Sequence, residues 1–209
     1  MSGRDRATRE RLIRTAAKLF ADRGFKSVTI REICRAARAN VAAVNYHFGD
    51  KLGLYREVLQ LAVVRMHSVT VEATQAGEAL CAEEKLRQFV HIHLRRILDE
   101  RSGWIHNLVN REVADPTPAL DTLVDQGMRP RIEYLSAIVS ELAGLPAADP
   151  RVQRSVASTL GQVMSYRPNP LIARLGFKTR FQPEEIDEVA DHIADFSVAG
   201  IHAAARARA

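Results

Sequence analysis

The sequence predicts an all-α chain in which an N-terminal three-helix domain is followed by a C-terminal helical bundle. Nearly every long segment repeats its apolar residues at the helical period, and none alternates with the two-residue period of a strand bounded by hairpin turns. Pro116, Pro118, Pro146, Pro150, Pro168, Pro170 and Pro183 fall between the periodic segments, where a missing N–H and a fixed φ do least harm. With 209 residues and 46% hydrophobic content, the chain can bury a real core in one ordinary domain and a small second one.

From Thr8 onward, Leu12, Ile13, Ala16, Ala17 and Phe20 lie on one helical face, with Arg9, Arg11, Arg14 and Lys18 largely outside it. Gly24 suits a left-handed cap at the end of this first helix. Thr29 with Glu32 three residues later forms a capping box, and Ile30, Ile33, Ala36 and Ala37 give a short second helix its apolar stripe. Arg38-Ala39-Asn40 breaks that helix, and Asn40 is a good N-cap for a third over Val41 to Phe48. Gly49-Asp50 ends the third helix, and Asp50 caps a fourth that runs from Lys51 to about Gln75. Further helices are expected at roughly 82–100, 103–114, 117–143, 150–166 and 183–204, with Arg167 to Gln182 as the most loop-like stretch. The expected domains are residues 1–56 and 57–209.

Charge is distributed unevenly between these domains. Residues 1–56 hold 13 Lys/Arg against 5 Asp/Glu, which leaves 17 against 20 for the rest of the chain. A basic head on a nearly neutral body is the footprint of a phosphate-binding module, although a merely solvated basic face would give the same count. Cys34 and Cys81 are 47 positions apart, without CxxC spacing, so a disulfide framework or zinc ribbon is not expected and both read as ordinary buried or half-buried thiols. No apolar run is long enough for a membrane span, and the N-terminus runs directly into an amphipathic pattern without a cleavable signal, so a cytoplasmic protein is expected. His91 and His93 stand at i and i+2, on different faces of a helix, which argues against a shared metal ion. HExxH, a glycine-rich phosphate loop and GxSxG are all missing, so neither an enzyme nor a cofactor is expected.

Two short helices joined by a tight turn have the layout of a helix-turn-helix whose second helix enters the DNA major groove. The third helix has suitable chemistry. Ala42 and Ala43 allow close approach, and a methyl can meet a thymine methyl; Asn45 can pair with adenine or hold phosphate, His47 adds a polar contact, and Val41 is a further DNA-binding candidate. Tyr46 and Lys51 are phosphate candidates, while Val44 and Phe48 are expected to face inward. Thr29-Ile30-Arg31-Glu32-Ile33-Cys34-Arg35-Ala36-Ala37, then Val41-Ala42-Ala43-Val44-Asn45-Tyr46-His47-Phe48-Gly49-Asp50-Lys51 and Leu54-Tyr55, closely resembles the DNA-binding domain of TetR-type regulators. The resemblance covers about residues 8–56. It implies that Thr29, Tyr46 and Lys51 contact phosphates and that Ala42, Ala43, Asn45 and His47 lie at or near the bases, with Asn40 at the turn. Many members have glycine where Arg38 stands and tyrosine where Asn45 stands; Arg38 implies a turn built without a left-handed glycine, and adds a phosphate candidate.

Arg111 to Leu120, Gly161-Gln162 and Asp191 to Gly200 resemble the CecR-like C-terminal domain of one TetR subgroup, which implies dimerisation and binding of an effector that changes DNA affinity. One recognition helix contacts few base pairs, so a homodimer on a palindromic operator is expected. Val156, Leu160, Val163, Val189, Ile193 and Phe196 are the candidate interface, or they face their own core. Candidate effector contacts are His93, Trp104, His106, Arg111, Tyr134 and Tyr166, which mix apolar bulk with polar handles; Arg111 can instead pair with Glu112 or Asp115. A repressor released by a small molecule is the expected function, and a helical protein-interaction module without operator binding is the alternative.

Overall fold

The computed structural model describes residues 3–207, apart from the side chains at positions 4 and 100, so the outermost residues of the two expected domains lie outside the described residues. All regular elements among the described residues are helical. They are α1 (Gly3–Ser27), α2 (Ile30–Ala37), α3 (Val41–Phe48), α4 (Lys51–Gly77), α5 (Ala82–Leu98), α6 (Gly103–Ala114), α7 (Leu120–Thr122), α8 (Arg129–Ala143), α9 (Pro150–Ser165), α10 (Pro170–Arg174) and α11 (Pro183–Arg206). A 3₁₀ turn covers Glu100–Ser102. The chain forms two compact units, one of residues up to Met66 with Gly103–Gly127, the other of His67–Ser102 with residues from Met128 onward.

In unit one, Leu12, Ala16 and Phe20 of α1 close over Ile33 and Ala37 of α2, Val44 of α3, Leu54 and Val58 of α4, and Leu108 of α6. Tyr55 is 1% exposed and meets Phe20 edge-on, with ring centroids 5.0 Å apart. Its hydroxyl donates to the carboxylate of Glu112, itself 1% exposed, whose other oxygen accepts from the Thr117 backbone N–H and hydroxyl at 2.8 Å each. Burial and the adjacent carboxylate push the Tyr55 phenol well above its usual range. A buried charge is tolerated only when hydrogen-bonded in this way.

Three backbone positions shape the helix-turn-helix end of this unit. Gly24 takes φ 80°, ψ 164°, a region open essentially to glycine, and one further turn carries α1 to Ser27. Arg38 sits at φ 50°, ψ 49°, so the turn between α2 and α3 is left-handed even though no glycine occupies it. Its N–H donates to the carbonyls of Arg35 and Cys34 and so closes α2. Gly53 allows the first turn of α4 to approach α3, since a Cβ there would lie 1.9 Å from the Phe48 carbonyl oxygen.

Unit two packs Leu86, Phe89, Val90 and Leu94 of α5 against Leu135 and Val139 of α8, Val152 and Val163 of α9, and Ala190, Ile193 and Ile201 of α11. Along its surface Arg87 pairs with Asp191 and Asp195, His91 lies 2.9 Å from Asp191, and Arg95 lies 2.7 Å from Asp187, forming a ladder between α5 and α11.

Three differences from the sequence reading have local causes, and a fourth observation, on the apolar stripes of α9 and α11, comes from tertiary packing. The helix expected over 117–143 starts at Leu120 and is interrupted by a π segment, Leu123–Met128, just ahead of Pro130, whose ring and missing N–H cannot be fitted into an uninterrupted α ladder. The loop-like stretch contains α10, capped by Asn169 through Leu171 N at 2.9 Å. Cys34 is buried, which raises its thiol pKa, but Cys81 is exposed, being the residue that precedes α5. Val156, Val163 and Ile193 are 6%, 0% and 1% exposed inside unit two's own core, and Leu160 and Val189 pack against that core; of the six interface candidates only Phe196, 64% exposed, stands outside.

An arginine in the left-handed region costs about 1–2 kcal/mol, of which glycine gives back part as chain entropy, so Arg38→Gly is expected to stabilise the protein by about 0.5–1 kcal/mol in urea unfolding. Unchanged or lower stability would show that the Arg38 side chain, not the turn conformation, supports the fold.

The capping box supplies a pH-dependent contribution. Hydrogen bonds from the Thr29 hydroxyl and backbone, then from Arg23, hold the Glu32 carboxyl at about 2 against an ordinary 4.5. A depressed carboxyl stabilises the fold above its unfolded value, and that contribution is lost as pH falls from about 4.5 toward 2. Glu32→Gln is expected to flatten the stability profile across this window; an unaltered acid limb would assign the loss to other carboxylates.

Candidate nucleic-acid interface

Short helices are marginal on their own, so α2 and α3, of 8 residues each, depend on their caps and on burial of one face. Thr29 Oγ1 accepts from Glu32 N at 3.3 Å, and Glu32 accepts from Thr29 N at 2.8 Å. At the other end of α2, Arg11 of α1 donates to the Ala37 carbonyl at 2.7 Å, answering one of the open carbonyls of the last turn. Asn40 caps α3 by accepting from Ala42 N at 3.1 Å, and Gly49 N returns to the Asn45 carbonyl at 3.1 Å. Asp50 accepts from Gly53 N at 2.7 Å and starts α4. Arg9 spans α3 and α4, 2.7 Å from Glu57 and over the Phe48 ring at 5.5 Å.

The result is a firmly held α3 with two distinct sides. Val44 is fully buried, and Ala43 and Phe48 pack against the core. Val41, Ala42, Asn45 and Tyr46, at i, i+1, i+4 and i+5, are exposed together, Tyr46 at 74%. His47 is half-buried beside them, its ring 4.9 Å from that of Tyr46. Of the predicted base-facing residues, then, Ala42 and Asn45 share the open face, and Ala43 and His47 flank it.

The predicted phosphate contacts differ in what they have left to offer. Asn40 uses its carbonyl oxygen in the cap and keeps two amide N–H donors. Thr29 already gives its hydroxyl proton to Glu32 at 2.8 Å, so binding an acceptor such as phosphate requires that bond to be exchanged. Lys51 lies over the Phe25 ring at 4.5 Å and donates to the Lys26 carbonyl at 3.4 Å, and burial lowers its pKa. Arg38 is exposed at the turn. Arg31 and Arg35, which the sequence reading did not single out, are exposed on α2 and, like Arg38, form no ion pair among the described residues. Their i, i+4 spacing on a short basic helix was the signal available. For Arg9 and Arg11 there was none, because their partners are remote in sequence.

The candidate effector contacts divide between the units. Trp104 packs half-buried on the core of unit one, and His106 lies on the same helix. Arg111 makes neither of the ion pairs open to it in the sequence, since Glu112 is enclosed with Tyr55 and Thr117 and Asp115 lies 2.5 Å from Lys26; it donates instead to the Asp22 carbonyl at 2.8 Å. In unit two His93 is 5% exposed and stacks on Phe89 at 4.0 Å, Tyr134 donates to the Ala73 carbonyl at 3.1 Å, and Tyr166 meets the Phe181 ring at 5.9 Å. His91 and His93 thus go to different surroundings, and no group of three His, Cys, Asp or Glu among the described residues could hold a metal ion. No described helix is long and apolar enough to cross a membrane.

Residues 12–58 match the model of the bacterial regulatory proteins of the tetR family, and residues 82–201 match the C-terminal domain of the HTH-type transcriptional dual regulator CecR. CecR of Shigella flexneri is 23% identical over 190 residues, covering 86% of this chain and 84% of that protein. SrpR of Pseudomonas putida, an HTH-type transcriptional regulator, is 32% identical over 114 residues, or 48% of this chain and 51% of its own. Among solved structures, a TetR-family regulator from Streptomyces coelicolor superposes with a TM-score of 0.67 at 19% identity, covering 94% of this chain and 96% of that one. AibR, solved in complex with isovaleryl coenzyme A and operator DNA, superposes with a TM-score of 0.67 at 20% identity over 90% and 97% of the two chains. The matched segments, on a capped helix-turn-helix with an open recognition face, place this chain in the TetR family of DNA-binding transcriptional regulators, a family of regulators rather than enzymes, with a CecR-type C-terminal domain.

Proposed function

We propose that the chain is a repressor that binds a palindromic operator as a homodimer in the cytoplasm and is released by a small-molecule effector. The observation that carries this reading is the open face of α3, where Ala42, Asn45 and Tyr46 stand exposed on a helix fixed by caps at both ends. Residues 1–56 form the reading head, with Asn45 and Ala42 at base edges and Tyr46, Arg38, Asn40 and Lys51 at phosphates. Residues 57–209 carry effector binding and dimerisation. AibR, with its coenzyme A ester and operator, supports a fold of this kind answering to a small molecule.

Two segments connect the head to the body. The boundary between the compact units falls within α4, and α6 is tied to the head through Glu112–Tyr55, Arg111–Asp22 and Lys26–Asp115. An effector that shifts α4 or α6 changes the separation of the two recognition helices, and a mismatch with half-sites fixed in the DNA weakens binding while every contact residue stays intact. The second copy is assigned to the outward side of α9 and α11, where Phe196 stands among the exposed small residues Ala157, Gly161, Ala199 and Gly200.

Selection from a random duplex pool is expected to enrich a palindrome whose binding falls steeply with salt. Asn45→Ala should relax base preference, whereas Lys51→Ala should weaken all sequences alike and reduce the salt slope by about one unit. No enrichment by folded protein would favour the protein-interaction module. For the dimer, Phe196→Glu is expected to give a monomer in sedimentation and to lose the palindrome while the fold persists; an unchanged dimer would move the interface elsewhere.

A further inference from the structure

Unit two encloses two polar atoms that its own residues do not satisfy. His93 is 5% exposed, and its Nδ1 lies 2.8 Å from the Phe89 carbonyl, which can only accept. The ring proton therefore sits on Nδ1, and Nε2 is left as a lone-pair acceptor, enclosed and without a partner. Arg131 enters from α8, with its Nε likewise enclosed and unpartnered and no carboxylate paired with it among the described residues. Phe89 links the two sites, stacked on His93 at 4.0 Å and 6.3 Å from the ring of Tyr134, one turn beyond Arg131. Burial, with a smaller push from the Arg131 charge, holds the His93 imidazole down at about 4, so it is neutral near pH 7. The π segment Leu123–Met128, an irregularity often found at functional sites, immediately precedes the helix that delivers Arg131.

Arg131 is half-buried with its Nε enclosed, a guanidinium stays charged in proteins, and a partly desolvated cation without a counter-charge is an unfavourable arrangement. We infer that Arg131 and His93 form the polar end of a site for an organic anion, Arg131 pairing with a carboxylate and His93 Nε2 accepting a hydrogen bond from a hydroxyl beside it. Phe89 and Tyr134, their rings tilted with centroids 6.3 Å apart, supply the adjoining aromatic surface for the rest of the molecule. The inference rests on the effector-responsive reading above and gives that effector a chemical class.

The test uses the full chain and salicylate, which carries a carboxylate and a neighbouring hydroxyl on a flat ring, at constant ionic strength in sodium chloride so that simple anion screening is equal in every sample. Calorimetry is expected to show one saturable site per chain, and ring-nitrogen spectra to show movement of the His93 Nε2 signal. Salicylamide, without the charge, and benzoate, without the hydroxyl, should each bind about tenfold more weakly, and Arg131→Met should weaken salicylate by about 10- to 100-fold. Without ligand, Arg131→Met should raise the thermal midpoint by about 2–4 °C, because an uncompensated cation has been removed. No saturable binding up to about 10 mM, equal binding by Arg131→Met, or a lowered midpoint for that variant would each overturn the inference. Operator binding by ligand-free Arg131→Met, measured alongside, separates the two readings: if the palindrome is still bound while salicylate is not recognised by wild type, the regulator stands and the anion site falls.

Discussion

Glu112 is a carboxylate taken out of water, and the arrangement of unit one follows from having to satisfy it. One oxygen is met by Tyr55 from α4 and the other by Thr117 N–H and hydroxyl from the segment after α6. Loss of any one partner would leave a buried acceptor short of a hydrogen bond, at a cost of about 1–3 kcal/mol. The node thus fixes α6 against α4 as well as against α1, where Arg111 and Asp115 add contacts near Gly24. Because Tyr55 also packs edge-on against Phe20, the polar node and the apolar core restrain the same helix.

On that base the reading head is specified chiefly by its helix ends. Two helices of 8 residues have little intrinsic stability, so Thr29, Asn40 and Asp50 as caps and Gly49 and Gly53 as turn and contact residues determine where α3 begins, ends and points. Local order at the ends leaves the middle free for function. Val44 and Phe48 hold the helix down, and the opposite side is left open with the polar groups of Asn45 and Tyr46 exposed. The cations of the head have two uses: Arg9, Arg11 and Arg23 tie elements together, whereas Arg31, Arg35 and Arg38 are available to an external anion.

Unit two achieves stability differently. Its apolar residues interlock across α5, α8, α9 and α11, and the acidic side of α11 meets the basic side of α5 in a largely exposed ladder. Such exposed pairs contribute little individually, but they favour one register of the two helices. Against this well-satisfied background Arg131 and His93 stand out, and sequence reading found only the histidine, because an arginine inside an amphipathic helix looks like any other surface cation.

The sequence by itself determined the helical class, the boundaries of most long helices, the capping box, the turn and the identity of the reading helix, because caps, prolines and a 3.6-residue period act within a few neighbouring positions. It also placed Asn45 and Tyr46 on an open face, since Val44 and Phe48 fix the opposite one. What depended on remote partners was decided only by the tertiary structure. Burial of Val156, Val163 and Ile193 in their own core, the engagement of Lys51 by Phe25, and the enclosure of Glu112 and of the Arg131 Nε arise from residues far apart in the chain. An apolar stripe records that it will be covered but not by what, and a charge records its sign but not its burial; both are settled when helices pack.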